Sequence, residues 1–242
     1  MKSSHAQLLA RGKVTPAELQ PFTHYTKEEL TALLASPKAH IRTIAITQLV
    51  ENDGLNDDVI ILFLQSLKQE DKLYTKLALC EALSKGGIIS AERMVAYLGK
   101  IGSNQHTCLP AEPSKKTGYP LPRDIIARTL SHMGPEILLV LLNVLKTGRA
   151  SAVSEAIDAI GFICFHNKIS SETETQIAAA LAACLELFKD DAVIRWKVVR
   201  AFESFYSEDI LHTLTLIAKQ DSQSTIRKEA QRSLRIIRQR QT

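Results

Sequence analysis

IRWKVVRAF (residues 194–202) is echoed elsewhere in the chain by IRTIAITQL (41–49), TKLALCEAL (75–83), IIARTLSHM (125–133), AVSEAIDAI (152–160) and IRKEAQRSL (226–234). Positions one, five, six and nine of these nonapeptides are mostly apolar or small, a spacing that lines up side chains on one face of an α-helix. Position two is Arg42, Lys76, Ile126, Val153, Arg195 and Arg227 in chain order, basic in all but two copies. The copies recur at intervals of 34, 50, 27, 42 and 32 residues. Self-similarity on that scale marks a chain built from stacked supersecondary units.

Each copy follows another helical pattern across a short turn. The pairs are 27–35 with 38–52, 55–68 with 71–85, 90–100 with 123–133, 135–147 with 149–166, 172–189 with 191–206, and 207–219 with 221–239. Thr15 with Glu18, Thr26 with Glu29 and Ser171 with Glu174 are capping-box patterns that mark helix starts. Gly54, Gly86, Gly87, Gly134 and Gly148 mark stops. The expected fold is all-α, an α-solenoid of about six stacked helical hairpins forming a single domain over 1–242. Residues 1–25 are expected to cap the first repeat, and 221–242 to form a basic C-terminal capping helix.

The second-helix pattern resembles that of HEAT repeats, particularly the short bacterial form found in phycobilisome lyase-like proteins, which runs roughly V-R-x-x-A-A-x-A-L-G. IRTIAITQL, IRWKVVRAF and IRKEAQRSL match it best, while AVSEAIDAIG keeps the small residues and Gly161. The resemblance spans about residues 26 to 240 and implies a HEAT-like superhelix. It does not imply one task, because that repeat serves many.

Composition narrows the class. The chain has 242 residues, 45% of them hydrophobic, which is ample for a continuous core. The apolar run ILLVLLNVL (137–145) is well short of the roughly 20 residues that span a bilayer, and MKSSHAQLLARGK does not read as a signal peptide. Cys80, Cys108, Cys164 and Cys184 are scattered without a CxxC pair. A soluble cytoplasmic protein with reduced thiols is expected. The net charge of +4 resides in residues 221–242, where six basic residues face two acidic ones.

Three features are candidates for function. The long interval falls on IGSNQHTCLPAEPSKKTGYPLP (101–122), which holds half of the eight prolines and reads as a loop inserted between the helices of the third hairpin. Such loops are functional or idle. Leu109 and Tyr119 are its candidate contact residues, and deletion of 103–119 behind a short Gly/Ser linker is expected to leave the fold largely intact. His106 and Cys108, with His132, are too sparse a set to predict a metal site.

The second feature is the last helix. On a helical wheel Arg227, Lys228, Arg232, Arg235 and Arg238 gather opposite Ile226, Ala230, Leu234 and Ile237. That face is either a basic surface for phosphates or an acidic protein, or the polar outside of a terminal cap. The third is the row of basic residues Arg42, Lys76, Arg195 and Arg227, which would line a groove or join neighbouring repeats through Asp71, Asp190 or Asp191, and Asp221. Trp196, between Arg195 and Lys197 and one turn from Arg200, either anchors a partner or packs internally.

No GxSxG, HExxH, Walker-type or dinucleotide glycine pattern occurs. The leading expectation is a non-catalytic protein–protein interaction scaffold, with no cofactor, metal or membrane, and with Arg42, Lys76, Leu109, Tyr119, Arg195, Trp196 and Arg200 in contact with the partner. A small-molecule substrate is not expected. The alternatives are a nucleic-acid binder and a bilin lyase-like enzyme. The first follows from the resemblance, since some HEAT-like proteins are alkylpurine DNA glycosylases, or from the basic helix alone. The second is implied only by the repeat subtype.

Overall fold

A computed structural model describes residues 3–241, and it is all-helical. The helices are α1 (His5–Ala10), α2 (Pro16–Leu19), α3 (Lys27–Leu33), α4 (Ala39–Asp53), α5 (Asp57–Gln69), α6 (Leu73–Ser84), α7 (Gly87–Met94), α8 (Ile125–Ser131), α9 (Leu138–Thr147), α10 (Ala150–His166), α11 (Ser171–Leu187), α12 (Ala192–Ala201), α13 (Glu208–Gln220) and α14 (Ser224–Gln241). Short 3-10 turns extend several of them, such as Val95–Tyr97 after α7 and Phe202–Ser204 after α12. No strand forms among the described residues, and no single helix is long and apolar enough to cross a membrane.

The chain divides into two compact units, one ending at Met94 and the other beginning at Val95. In the first unit α3 pairs with α4 and α5 with α6, and α4 lies against α6. α5 shows why: Val59, Ile60, Phe63, Leu64 and Leu67 form a helical stripe that is fully buried. Burying each of the larger ones contributes about 2–3 kcal/mol. Asn56 starts this helix by accepting from the Val59 N–H at 3.1 Å. At Thr26 both halves of the capping box form, at 2.8 and 3.3 Å. α1 and α2 pack on α4. Gly12, at φ 90°, lies against Thr75 at the start of α6, where a Cβ would collide with its hydroxyl.

In the second unit α9 pairs with α10, α11 with α12 and α13 with α14, while α8, α10, α12 and α14 lie side by side. α10 is the most enclosed of these, buried on nearly every side from Val153 to Gly161. Cys164 and Cys184 are buried in α10 and α11, where burial pushes their thiols up to about 12 and about 11. The cap of α11 is Ser170, which accepts from the Thr173 N–H, one residue earlier than the Ser171–Glu174 pattern predicted.

The three arginines at position two share one geometry. Each is the fourth residue of its helix, and a guanidinium nitrogen donates to the carbonyl six residues earlier: Arg42 to Ser36, Arg195 to Lys189 and Arg227 to Asp221, at 2.8, 2.5 and 2.6 Å. The third copy needs a correction. α8 begins at Ile125, so its fourth residue is Arg128 and not Ile126, and Arg128 donates to the Pro122 carbonyl at 2.9 Å. That exception was a two-residue misalignment, and Val153, the fourth residue of α10, remains the one position without a basic residue.

Candidate functional site

Glu155 and Asp158 stand three residues apart on α10, hence on one helix face. Facing them on α12 are Lys197 and Arg200, and α14 adds Glu229 and Arg232. These six are the fourth and seventh positions of the last three nonapeptides. Glu203, in the turn after α12, completes the cluster, and all seven are buried.

The partners alternate in sign across the three helices. Lys197 reaches Glu155 at 2.7 Å and Asp158 at 3.1 Å, and Arg200 reaches Asp158 at 2.5 Å. Arg232 bridges Glu203 and Glu229, and Glu229 also accepts from the Trp196 indole N–H at 2.7 Å. Four carboxylates thus face three cations. Burial opposes ionisation of Asp158, but Arg200 and Lys197 outweigh it and hold that carboxyl below its ordinary value. Burial pushes Glu203 up to about 7, because Arg232 offsets the desolvation only in part. Glu155 is raised for the same reason, against the pull of Lys197.

The inserted loop closes over this cluster as a strap. His106 packs its ring edge on Trp196, with centroids 4.8 Å apart, and the Arg200 guanidinium sits 4.2 Å over the indole and 5.7 Å over Tyr119. Tyr119 is buried against Phe165 and Gly161. The Lys116 carbonyl accepts from Arg232 Nη2 at 2.9 Å, and Glu112 pairs with Lys228 at 2.7 Å on the exposed side. Burial, and the Arg200 charge next, lower His106 to about 4, so the imidazole is neutral beside the guanidinium. Both ends of the strap meet at Asp124. Its Oδ2 accepts from the Gly99 N–H at 3.3 Å and from Gln105 Nε2 at 2.7 Å, while Oδ1 caps α8 at the Ala127 N–H.

Among the described residues, the buried side-chain atoms without a hydrogen-bond partner are all in this cluster: Tyr119 Oη, Glu155 Oε2, Glu203 Oε1, Arg200 Nε and Arg232 Nε. Each such atom costs about 1–3 kcal/mol.

The expected site residues fall into three groups. Tyr119, Trp196 and Arg200 meet, but as the interior of the strapped cluster and not as an open contact surface. Arg42 and Arg195 are clips: Arg42 pairs with Glu70 at 2.6 Å and Arg195 with Asp221 at 3.3 Å. Glu70 thus takes the part expected of Asp71. Lys76 is half-exposed on α6, and Leu109 is half-buried where the strap meets Leu187, Phe188 and Ala192.

The single basic face predicted for α14 is divided. Arg232 turns inward under the strap, Arg227 clips the backbone and Lys228 meets Glu112, which leaves Arg235 and Arg238 exposed. The physical reason is that the strap and α12 cover one side of the cationic stripe. His106 and His132 lie on different aromatic partners, Trp196 and Phe162, and no three His, Cys, Asp or Glu side chains among the described residues converge to hold a metal.

Glu155, Asp158, Lys197, Glu203 and Glu229 were not singled out from sequence. Charged residues at positions four and seven of the last three copies were the available signal. No family model matches the chain, and no curated protein matches it. Among solved structures, the crystal structure of an engineered protein from the Northeast Structural Genomics Consortium is similar over 88% of this chain and 98% of that one, at 18% identity and a TM-score of 0.40, a likeness too slight to argue from.

Proposed function

We propose that this protein is a non-catalytic protein-binding module, a HEAT-like helical repeat of the cytoplasm that holds an extended polypeptide across α10, α12 and α14. The observation that supports this is the strap itself. A proline-rich segment without helix or strand lies on that face and is held by Arg232, Arg200, Trp196 and Lys228. Aromatic and arginine anchors in a desolvated setting are what concentrate binding energy at protein interfaces.

A nucleic-acid reading is favoured by one observation, the exposed pair Arg235 and Arg238 on α14. Affinity capture followed by cross-link mapping separates the two. A partner whose cross-links fall on the strap and on α10, α12 and α14 supports the proposal. Oligonucleotide binding that falls steeply with salt, and that is lost in an Arg235→Gln/Arg238→Gln variant, replaces it.

A further inference from the structure

Resting on the protein-binding reading, we propose that the 101–122 strap is a built-in competitor. The face beneath it recognises in trans an extended segment with the strap's own pattern: an acidic residue seven positions before a buried aromatic, and a free backbone carbonyl three positions before it. In the strap these are Glu112, Tyr119 and the Lys116 carbonyl, which meet Lys228, the Gly161 hollow beside Arg200, and Arg232.

Two observations carry this beyond simple packing. First, the strap is bound the way a peptide is bound. Among the described residues, 101–122 makes no backbone-to-backbone hydrogen bond with the helices it crosses. Its hold depends on a few separated anchors, with Lys115 and Thr117 exposed on either side of the Lys116 carbonyl. Second, it is an imperfect occupant. Around it Glu155 Oε2 and Glu203 Oε1 lack donors, and Arg200 Nε and Arg232 Nε lack acceptors, while the Tyr119 hydroxyl lies beside the Arg200 guanidinium without a well-formed hydrogen bond. A segment that keeps the aromatic and adds an amide or hydroxyl beside it would satisfy groups that the strap leaves bare. Such a partner gains affinity because unpaired buried polar atoms are penalised in the strapped state.

Tethering sets the threshold. A segment joined at both ends competes at an effective concentration in the millimolar range. Only a partner that binds better than the strap, or one met when the strap is loosened, gains the face.

The test uses the full chain and a fluorescent peptide of residues 106–122, HTCLPAEPSKKTGYPLP. The expected result is that a Tyr119→Ala chain, whose own strap is weakened, binds the peptide at least tenfold more tightly than the wild type does. Replacing the peptide's tyrosine by alanine, or adding Arg232→Gln to the chain, should reduce binding tenfold or more. A folded Tyr119→Ala chain that ignores the peptide up to millimolar concentration overturns the proposal, as does binding indifferent to Arg232.

If Tyr119→Ala does not fold, exchange of the Trp196 indole proton in the wild type decides. That proton lies under the strap, bonded to Glu229. Exchange at least a hundredfold faster than that of the Val198 and Val199 amides is expected, and exchange only in the same global event overturns the proposal. A partner that cross-links to these helices but is not displaced by the peptide removes this inference and leaves the protein-binding reading standing.

Discussion

Gly161 and Tyr119 fit each other as hollow and plug: a Cβ on Gly161 would overlap the Tyr119 hydroxyl and the ring carbons next to it. In an ordinary helix interior, Gly→Ala gains about 1 kcal/mol. Here Gly161→Ala is expected to cost about 1–3 kcal/mol instead, because the added methyl overpacks a filled site. Urea unfolding measures the sign, and a red shift of Trp196 emission reports the displaced strap. A stabilised variant with unchanged emission would show that the tyrosine is not seated there.

Arg232 and its neighbours on α14 should separate sharply. Arg232→Ala leaves Glu203 and Glu229 buried without their cation, and a loss of about 3–5 kcal/mol is expected. Arg235→Ala and Arg238→Ala, on the exposed side, should stay within about 0.5 kcal/mol. Denaturant midpoints of the three variants check this, and equal effects would contradict the burial of Arg232.

The buried cluster predicts a pH profile with two opposed limbs. The folded value of Glu203, about 7, lies above its ordinary 4.5, so its contribution is full below about 4.5 and is lost as pH rises through about 7. A difference of that size is worth about 3 kcal/mol. His106 is shifted the other way, to about 4, so its contribution is full above about 6.5 and is lost as pH falls through about 4. Unfolding measured from pH 4 to pH 8 should show Glu203→Gln abolishing the alkaline decline and His106→Gln easing the acid one. A Glu203→Gln profile parallel to the wild type would refute the assignment.

The helix-start clips predict a contrast in the first unit. Arg42→Ala removes a half-buried ion pair to Glu70 and the bond to the Ser36 carbonyl, with an expected cost of about 1–3 kcal/mol. Lys76→Ala, at the same place in α6, should change stability by less than about 0.5 kcal/mol. Thermal unfolding of the pair decides whether position two acts through the clip or through charge alone.

The helices and five of the six expected pairs were legible because they depend on neighbours three and four residues apart, which periodicity records directly. The strapped cluster was not, because its bonds join distant parts of the chain. Arg232 finds the Lys116 carbonyl 116 residues away. On a wheel Arg232, Arg235 and Arg238 look alike, and only the path of the loop distinguishes them. The contacts of the loop were hidden for the same reason: nothing in 101–122 announces that the Lys116 carbonyl and Tyr119 meet Arg232 and Arg200. The comparison of positions four and seven came closest to a readable signal. They hold Ile44 and Thr47, then Ala78 and Glu81, in the first two copies, but charged pairs in the last three.

The junction at Asp124 has a consequence for how this chain can change over generations. One carboxylate fastens the departing chain at Gly99 and Gln105 and starts α8, and Arg128 independently grips the Pro122 carbonyl. The segment between is therefore framed by its ends as well as by its own anchors. Residues can be exchanged in the exposed positions between the anchors, such as Lys115 and Thr117, without disturbing the helices on either side, whereas Glu112, the Lys116 carbonyl and Tyr119 are tied to them. Asp124 is thus the hem that keeps an alteration in the loop from unravelling α8.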